Sequence, residues 1–114
     1  MRIEVEVTGA APAANVDGWT ARVPELMREL TKKLDACGEA LTLPCYAPGA
    51  RNSASFQVVG AIYKTVRAYQ REHGRPECVT IACDTDATAR LYRQIYNFYM
   101  ADTKAVRMQE ADWD

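Results

Sequence analysis

Apolar residues in this chain repeat with a period of two, then of three to four, then of two again, and this switching restricts the fold more than any single motif does. Residues 2–8 (RIEVEVT) alternate, with Ile3, Val5 and Val7 on one face and Arg2, Glu4 and Glu6 on the other. That is the pattern of a strand with one wet face, at or near a sheet edge. Residues 9–18 contain Gly, Ala, Pro, Asn and Asp and read as a loop. From Pro24 the period lengthens, and Leu26, Met27, Leu30, Leu34 and Cys37 recur at helical spacing until Gly38. This predicts an amphipathic helix with proline in its first turn and a glycine C-cap. Residues 40–46 (ALTLPCY) are short and nearly all apolar, as expected of a strand covered on both faces.

Residues 47–53 (APGARNS) form a turn, after which Ser53 or Ser55 is placed to cap a second helix. Phe56, Val59, Ile62, Tyr63, Val66 and Tyr69 line one side of that helix, and Gly74 and Pro76 end it. Residues 77–83 (ECVTIAC) read as a second buried strand, and Asp84, Thr85 or Asp86 can cap a third helix reaching about Met100. In the tail, residues 105–109 offer a further edge strand. The alternation predicts an α/β fold: a small three-layer domain with a mainly parallel sheet of three or four strands, about three helices and right-handed crossovers. At 114 residues the chain is expected to be one domain.

Composition narrows the function classes. The 14 Lys and Arg residues balance 15 Asp and Glu, so no overall field draws in nucleic acid or an anionic membrane. The N-terminus alternates charged with apolar residues, unlike a signal peptide, and no segment has the apolar length of a spanning helix. Cys37, Cys45, Cys78 and Cys83 occur without a secretion signal, which points to a reduced, cytoplasmic protein with free thiols. With no CxxC and His73 as the sole histidine, no metal site is expected.

In open parallel sheets, ligands bind beyond the carboxyl ends of the strands. That edge should carry Cys45, Tyr46, residues 47–53 and Asp84 to Asp86. Gly49 lets backbone approach a ligand, and N–H groups at the start of the second helix attract anions, so the loop is the first candidate for a phosphate; loops of this composition also serve simply to turn and cap a chain. Cys45 and Cys83 should end neighbouring strands, where buried thiols behaving as small hydrophobes are the simpler reading. Asp84 and Asp86 could pair as carboxylates, although capping is their simpler role. His73 falls at the opposite end of the sheet, as a helix-terminal residue. No nucleophile, base and oxyanion set results, and neither a catalytic residue nor a cofactor is predicted.

From about residue 22 to residue 100, the chain resembles the C-terminal part of a macro domain, the family that binds ADP-ribose. LTLPCYAPGARNS (residues 41–53) is similar to that family's buried strand and phosphate-binding loop, with Pro44 and Gly49 at matching places. VVGAIYKTVRAYQREHG (residues 58–74) and PECVTIACDTDATARLY (residues 76–92) resemble its last long helix, last strand and final helix. The family's N-terminal part, with its adenine-recognising aspartate and first glycine-rich loop, has no counterpart here, and its aromatic and second glycine after Gly49 are Arg51 and Asn52. The resemblance implies a truncated module that binds ADP-ribose or another nucleotide phosphate weakly. The diphosphate would lie on the backbone of Gly49, Ala50, Arg51, Asn52 and Ser53, and the adjoining ribose near Cys83, Asp84 and Thr85. The alternative is a small structural or protein-interaction domain with neither ligand nor activity.

On the third helix Leu91, Ile95 and Phe98 form one apolar stripe, and Tyr92, Tyr96 and Tyr99 form a second. One stripe suffices to dock a helix on a sheet. The aromatic one, or the neighbouring sheet edge, is therefore expected to serve a homodimer.

Overall fold

A computed structural model describes residues 1–100 of the chain. Among them the chain forms β1 (Arg2–Val7), α1 (Val23–Ala36), β2 (Ala40–Pro44), α2 (Asn52–His73), β3 (Cys78–Cys83) and α3 (Asp86–Met100). The α/β alternation, the parallel sheet and the three helices agree with the sequence reading. The proposed strand at 105–109 lies outside the described residues. No described helix is long and apolar enough to cross a membrane.

The strand order is β1-β3-β2, and both pairings are parallel. Arg2 and Thr8 donate their N–H groups to the carbonyls of Glu77 and Cys83, while Cys78 donates to Glu39 and Cys45 to Ala82, at 2.7–3.3 Å. β3 thus presents alternate residues to its two neighbours, as a central parallel strand must. The expectation that residues 40–46 are covered on both sides needs correction, because β2 is an edge strand on which only Leu43 is buried. Apolar composition alone does not separate a central strand from an edge strand packed under a helix. In this ladder residues 40, 42 and 44 point away from β3, so Pro44 falls where its missing N–H costs no bond and blocks further pairing.

The register gives the sheet two unlike faces. Ile3, Val79, Ile81, Leu43, Cys45 and Cys83 share one face and enter the core with Leu26, Leu30 and Leu34 of α1, the inward side of α2, and Ala89, Tyr92, Ile95 and Phe98 of α3. Arg2, Glu4, Glu6, Thr42 and Thr80 lie on the other.

Helix ends are fixed partly as the sequence suggests. Gly74 at φ 68° closes α2, its N–H donating to the Gln70 carbonyl at 2.8 Å. Thr85 caps α3, accepting from the Thr88 N–H at 3.2 Å. Gly38 does not close α1 in a left-handed turn; Arg75 reaches across from the α2–β3 connection to donate to the carbonyls of Leu34, Asp35 and Cys37. Neither Ser53 nor Ser55 caps α2, which starts from Arg51 with no side-chain cap.

The two stripes of α3 are both used inside the chain. Tyr92 is fully buried, Tyr63 packs edge-on against Tyr92 and Tyr96, and the Tyr99 ring fills the space that a Cβ on Gly60 would take. The tyrosine stripe therefore takes part in the α2–α3 contact, which leaves the neighbouring sheet edge as the surface on which a homodimer would rest. The apolar spacing shows two apolar stripes on α3, but not that α2 covers the second.

Tyr92 bonds at both its hydroxyl and its carbonyl. Its hydroxyl accepts from the Tyr46 N–H at 2.8 Å, and its carbonyl accepts from the Tyr63 hydroxyl at 2.8 Å. Tyr92→Phe leaves the Tyr46 N–H without its acceptor, at a cost of about 1–3 kcal/mol. A thermal melt should show a midpoint lowered by roughly 4–8 °C per kcal/mol in a domain of this size. Tyr96→Phe, whose half-buried hydroxyl meets only Arg67 at 3.3 Å, should cost less than half as much.

Candidate functional site

The carboxyl ends of the strands come together as the topology requires, but the segment between β1 and α1 joins them there. Residues 9–14 are irregular, as their composition suggests, but Asn15 and Val16–Gly18 are ordered against the loop. Ala13 donates to the Cys45 carbonyl, Ala47 to the Ala14 carbonyl and Val16 to the Ala47 carbonyl, at 2.8–3.0 Å, and Asn15 forms a parallel bridge with Ala47. Val16 is fully buried and opens a 3-10 turn, Val16–Gly18, in which the Asn15 side chain accepts from the Asp17 N–H at 2.8 Å. The segment is a strap laid along residues 45–47 beyond the end of β2.

The strap delivers a carboxylate to the candidate loop. Ala50 N–H donates to Asp17 Oδ2 at 3.3 Å, and Asn15 Nδ2 donates to the Pro48 carbonyl at 3.3 Å. A Cβ at Gly49 would meet the Asp17 carboxylate, so a larger residue here would displace that side chain, and glycine allows its close approach. α2 begins at Asn52, three residues after Gly49, without a side-chain cap and with no acidic residue in its first turn. Its leading N–H groups and dipole therefore favour negative charge at this corner. Among the loop residues Gly49 is partly exposed, Ala50, Arg51 and Asn52 are exposed, and Ser53 is half-buried.

Cys83, Asp84 and Thr85 lie at the same edge and have largely structural surroundings. Cys83 is fully buried, and its carbonyl accepts from the N–H groups of both Thr8 and Gly9. Asp84 Oδ1 accepts from the Cys45 thiol at 3.8 Å, and the Thr85 hydroxyl caps α3. The two sets of site residues are linked through Cys45, which ends β2 beside Cys83 and leads through Tyr46 into the loop. Cys45 and Cys83 are neighbours as expected, and both are inside: burial raises the Cys45 thiol above its usual range and pushes Cys83 up to about 12, with the neighbouring Cys45 adding to the effect. Such thiols are poor nucleophiles.

His73 ends α2 at the opposite edge, stacked on Tyr69 with ring centroids 4.1 Å apart. Among the described residues no cluster of three or more His, Cys, Asp and Glu could hold a metal ion. An aromatic pair stands beside the loop: Trp19 meets Tyr46 edge-on at 5.9 Å and carries the Arg22 guanidinium over its ring at 3.9 Å. The cleft beneath Tyr46, lined in part by Leu26, Leu30 and Leu43, measures about 50 Å³ and is far below nucleotide size.

Asp17, Asn15 and Trp19 are the residues that sequence reasoning missed. Asn15 two places before Asp17 is a local capping signal. That the turn it caps would rest on a loop more than thirty residues further along is not written in any local pattern. Comparison with protein-family models, with curated proteins and with solved structures gives no match to this chain.

The burial difference among the thiols has a direct readout. A disulfide reagent at pH 8 should label the half-buried Cys37 and Cys78 in the native protein and reach Cys45 and Cys83 only on unfolding, as peptide mass mapping would show. An unfolded thiol ionises near pH 8.5, whereas Cys83 keeps its proton to about pH 12. The unfolded chain therefore gains on the native one as pH rises between those values, and stability that is complete below about 8.5 is progressively lost. The urea midpoint should fall between pH 8 and pH 10, and fall less in Cys83→Ala.

Proposed function

We propose that the chain is a macro-domain-like module that binds the phosphates of a nucleotide, with ADP-ribose as the first candidate, through the backbone of Gly49, Ala50, Arg51, Asn52 and Ser53. The observation that carries this reading is the Asp17 carboxylate on the loop, since Ala50 N–H already serves an oxyanion in space that Gly49 keeps open. The uncapped start of α2 supports it, as do the segments at 41–53, 58–74 and 76–92 that resemble that family. The resemblance assigns the adjoining ribose to Cys83, Asp84 and Thr85, at the end of β3 and ahead of α3. The ligand is bound weakly, because the family's adenine-recognising segment has no counterpart here and the cleft beneath Tyr46 is too small to take a base. The reading assigns no catalytic residue.

A second reading has an observation of its own. Because Asp17 satisfies Ala50 N–H from within the chain, the loop is also stable with no ligand, as in a small structural or interaction domain. Isothermal titration with ADP-ribose, ADP and inorganic phosphate separates the two. Saturable heat from ADP-ribose that disappears in Gly49→Val supports the first reading, and silence from all three supports the second.

A further inference from the structure

Resting on the nucleotide-phosphate reading of the loop, we infer that Asp17 is a built-in competitor: its carboxylate occupies the place an incoming phosphate oxygen would take, and the strap that carries it acts as a latch on the site.

The strap is held in two parts of unequal strength. Its first part is fixed, because Val16 is fully buried and three backbone bonds between residues 13–16 and 45–47 measure 2.8–3.0 Å. Its tip is not. Asp17 is exposed, and its carboxylate meets the loop through a single 3.3 Å bond from Ala50 N–H. Asn15 aims the tip by accepting the Asp17 N–H and by donating to the Pro48 carbonyl, so the carboxylate returns to the same place whenever it is released. Opening the latch therefore exchanges one long, solvated hydrogen bond and leaves the anchored part undisturbed.

A phosphate and the carboxylate cannot share the position. The Asp17 carboxylate already fills the space beside the Gly49 Cα, and a second negative charge at contact distance repels the first. The ligand must displace Asp17, and the apparent affinity is reduced by the fraction of molecules in which the carboxylate is seated. A phosphate-binding loop with an acid in its own mouth selects for ligands that gain additional contacts along the edge, and rejects free inorganic phosphate.

The experiment is titration of ADP and inorganic phosphate into wild type, Asp17→Ala, Asp17→Asn and Glu72→Gln, with the Ala50 amide resonance followed in parallel. Glu72 is exposed near the far end of α2, so its substitution removes a charge without touching the loop. ADP should bind Asp17→Ala at least tenfold more tightly than wild type, Asp17→Asn should fall between them, Glu72→Gln should match wild type, and the Ala50 resonance should move on ADP addition. Equal affinity in wild type, Asp17→Asn and Asp17→Ala overturns the latch and leaves the loop reading standing. If no protein binds ADP or phosphate and the Ala50 resonance stays still, the loop reading fails and the latch fails with it. Should Asp17→Ala not fold, Asp17→Asn decides alone, with no gain over wild type counting against the latch.

Discussion

The placement of the candidate site depends on one buried side chain. Tyr92 reaches from α3 into the core, where its hydroxyl holds the Tyr46 N–H at the end of β2 and its carbonyl holds the Tyr63 hydroxyl of α2. The loop at 47–53 leaves from Tyr46 and enters α2 ten residues before Tyr63. Both ends of the loop's path are therefore tied to the same residue, and the Tyr63 bond, between two fully buried residues, is shielded from water. A loop suspended in this way can offer its backbone N–H groups in a fixed direction.

Elsewhere the ends of the elements are secured by reaching across the chain more than by local capping. Arg75 gathers the last carbonyls of α1, Gln70 donates from full burial to the carbonyls of Arg2 and Pro76, and Arg93 donates to the outward carbonyl of Val5 on the β1 edge. The last of these covers part of an edge that would otherwise be free to pair with another strand. Polar groups on long side chains thus perform the closure that a larger domain would obtain from additional strands and helices.

Much of the architecture was legible because it follows from periodicity. The inward residues of α2 at 56, 59, 62, 63, 66 and 69 are all buried, Gly74 closes that helix and Thr85 caps α3. What was not legible depends on partners distant in sequence. β2 reads as doubly covered because Leu41, Leu43 and Cys45 are apolar, yet its neighbours are decided by where β3 inserts. The second aromatic stripe of α3 looks like a surface until α2 is known to lie against it. At the site, the glycine at 49 was recognised as a place of close approach, but the group that approaches is Asp17, from a segment whose composition gave only a loop. Asn52 and Ser53 read as the end of a turn, yet α2 already begins at Asn52, and the absence of a side-chain cap there is a fact of geometry.

The strand order has a consequence for how the sheet comes into existence. Neither β1 nor β2 touches the other; each pairs with β3 alone. As the chain leaves the ribosome, two strands and two helices must wait without any sheet hydrogen bond until the residues of β3 emerge and slide between them. The β1–β3 ladder then pairs residues 76 apart and the β2–β3 ladder residues 38 apart, long-range contacts of the kind that slow folding. Charged residues such as Arg2, Glu4 and Glu6 and a proline such as Pro44 are of the kind that disfavours edge-to-edge pairing of exposed strands.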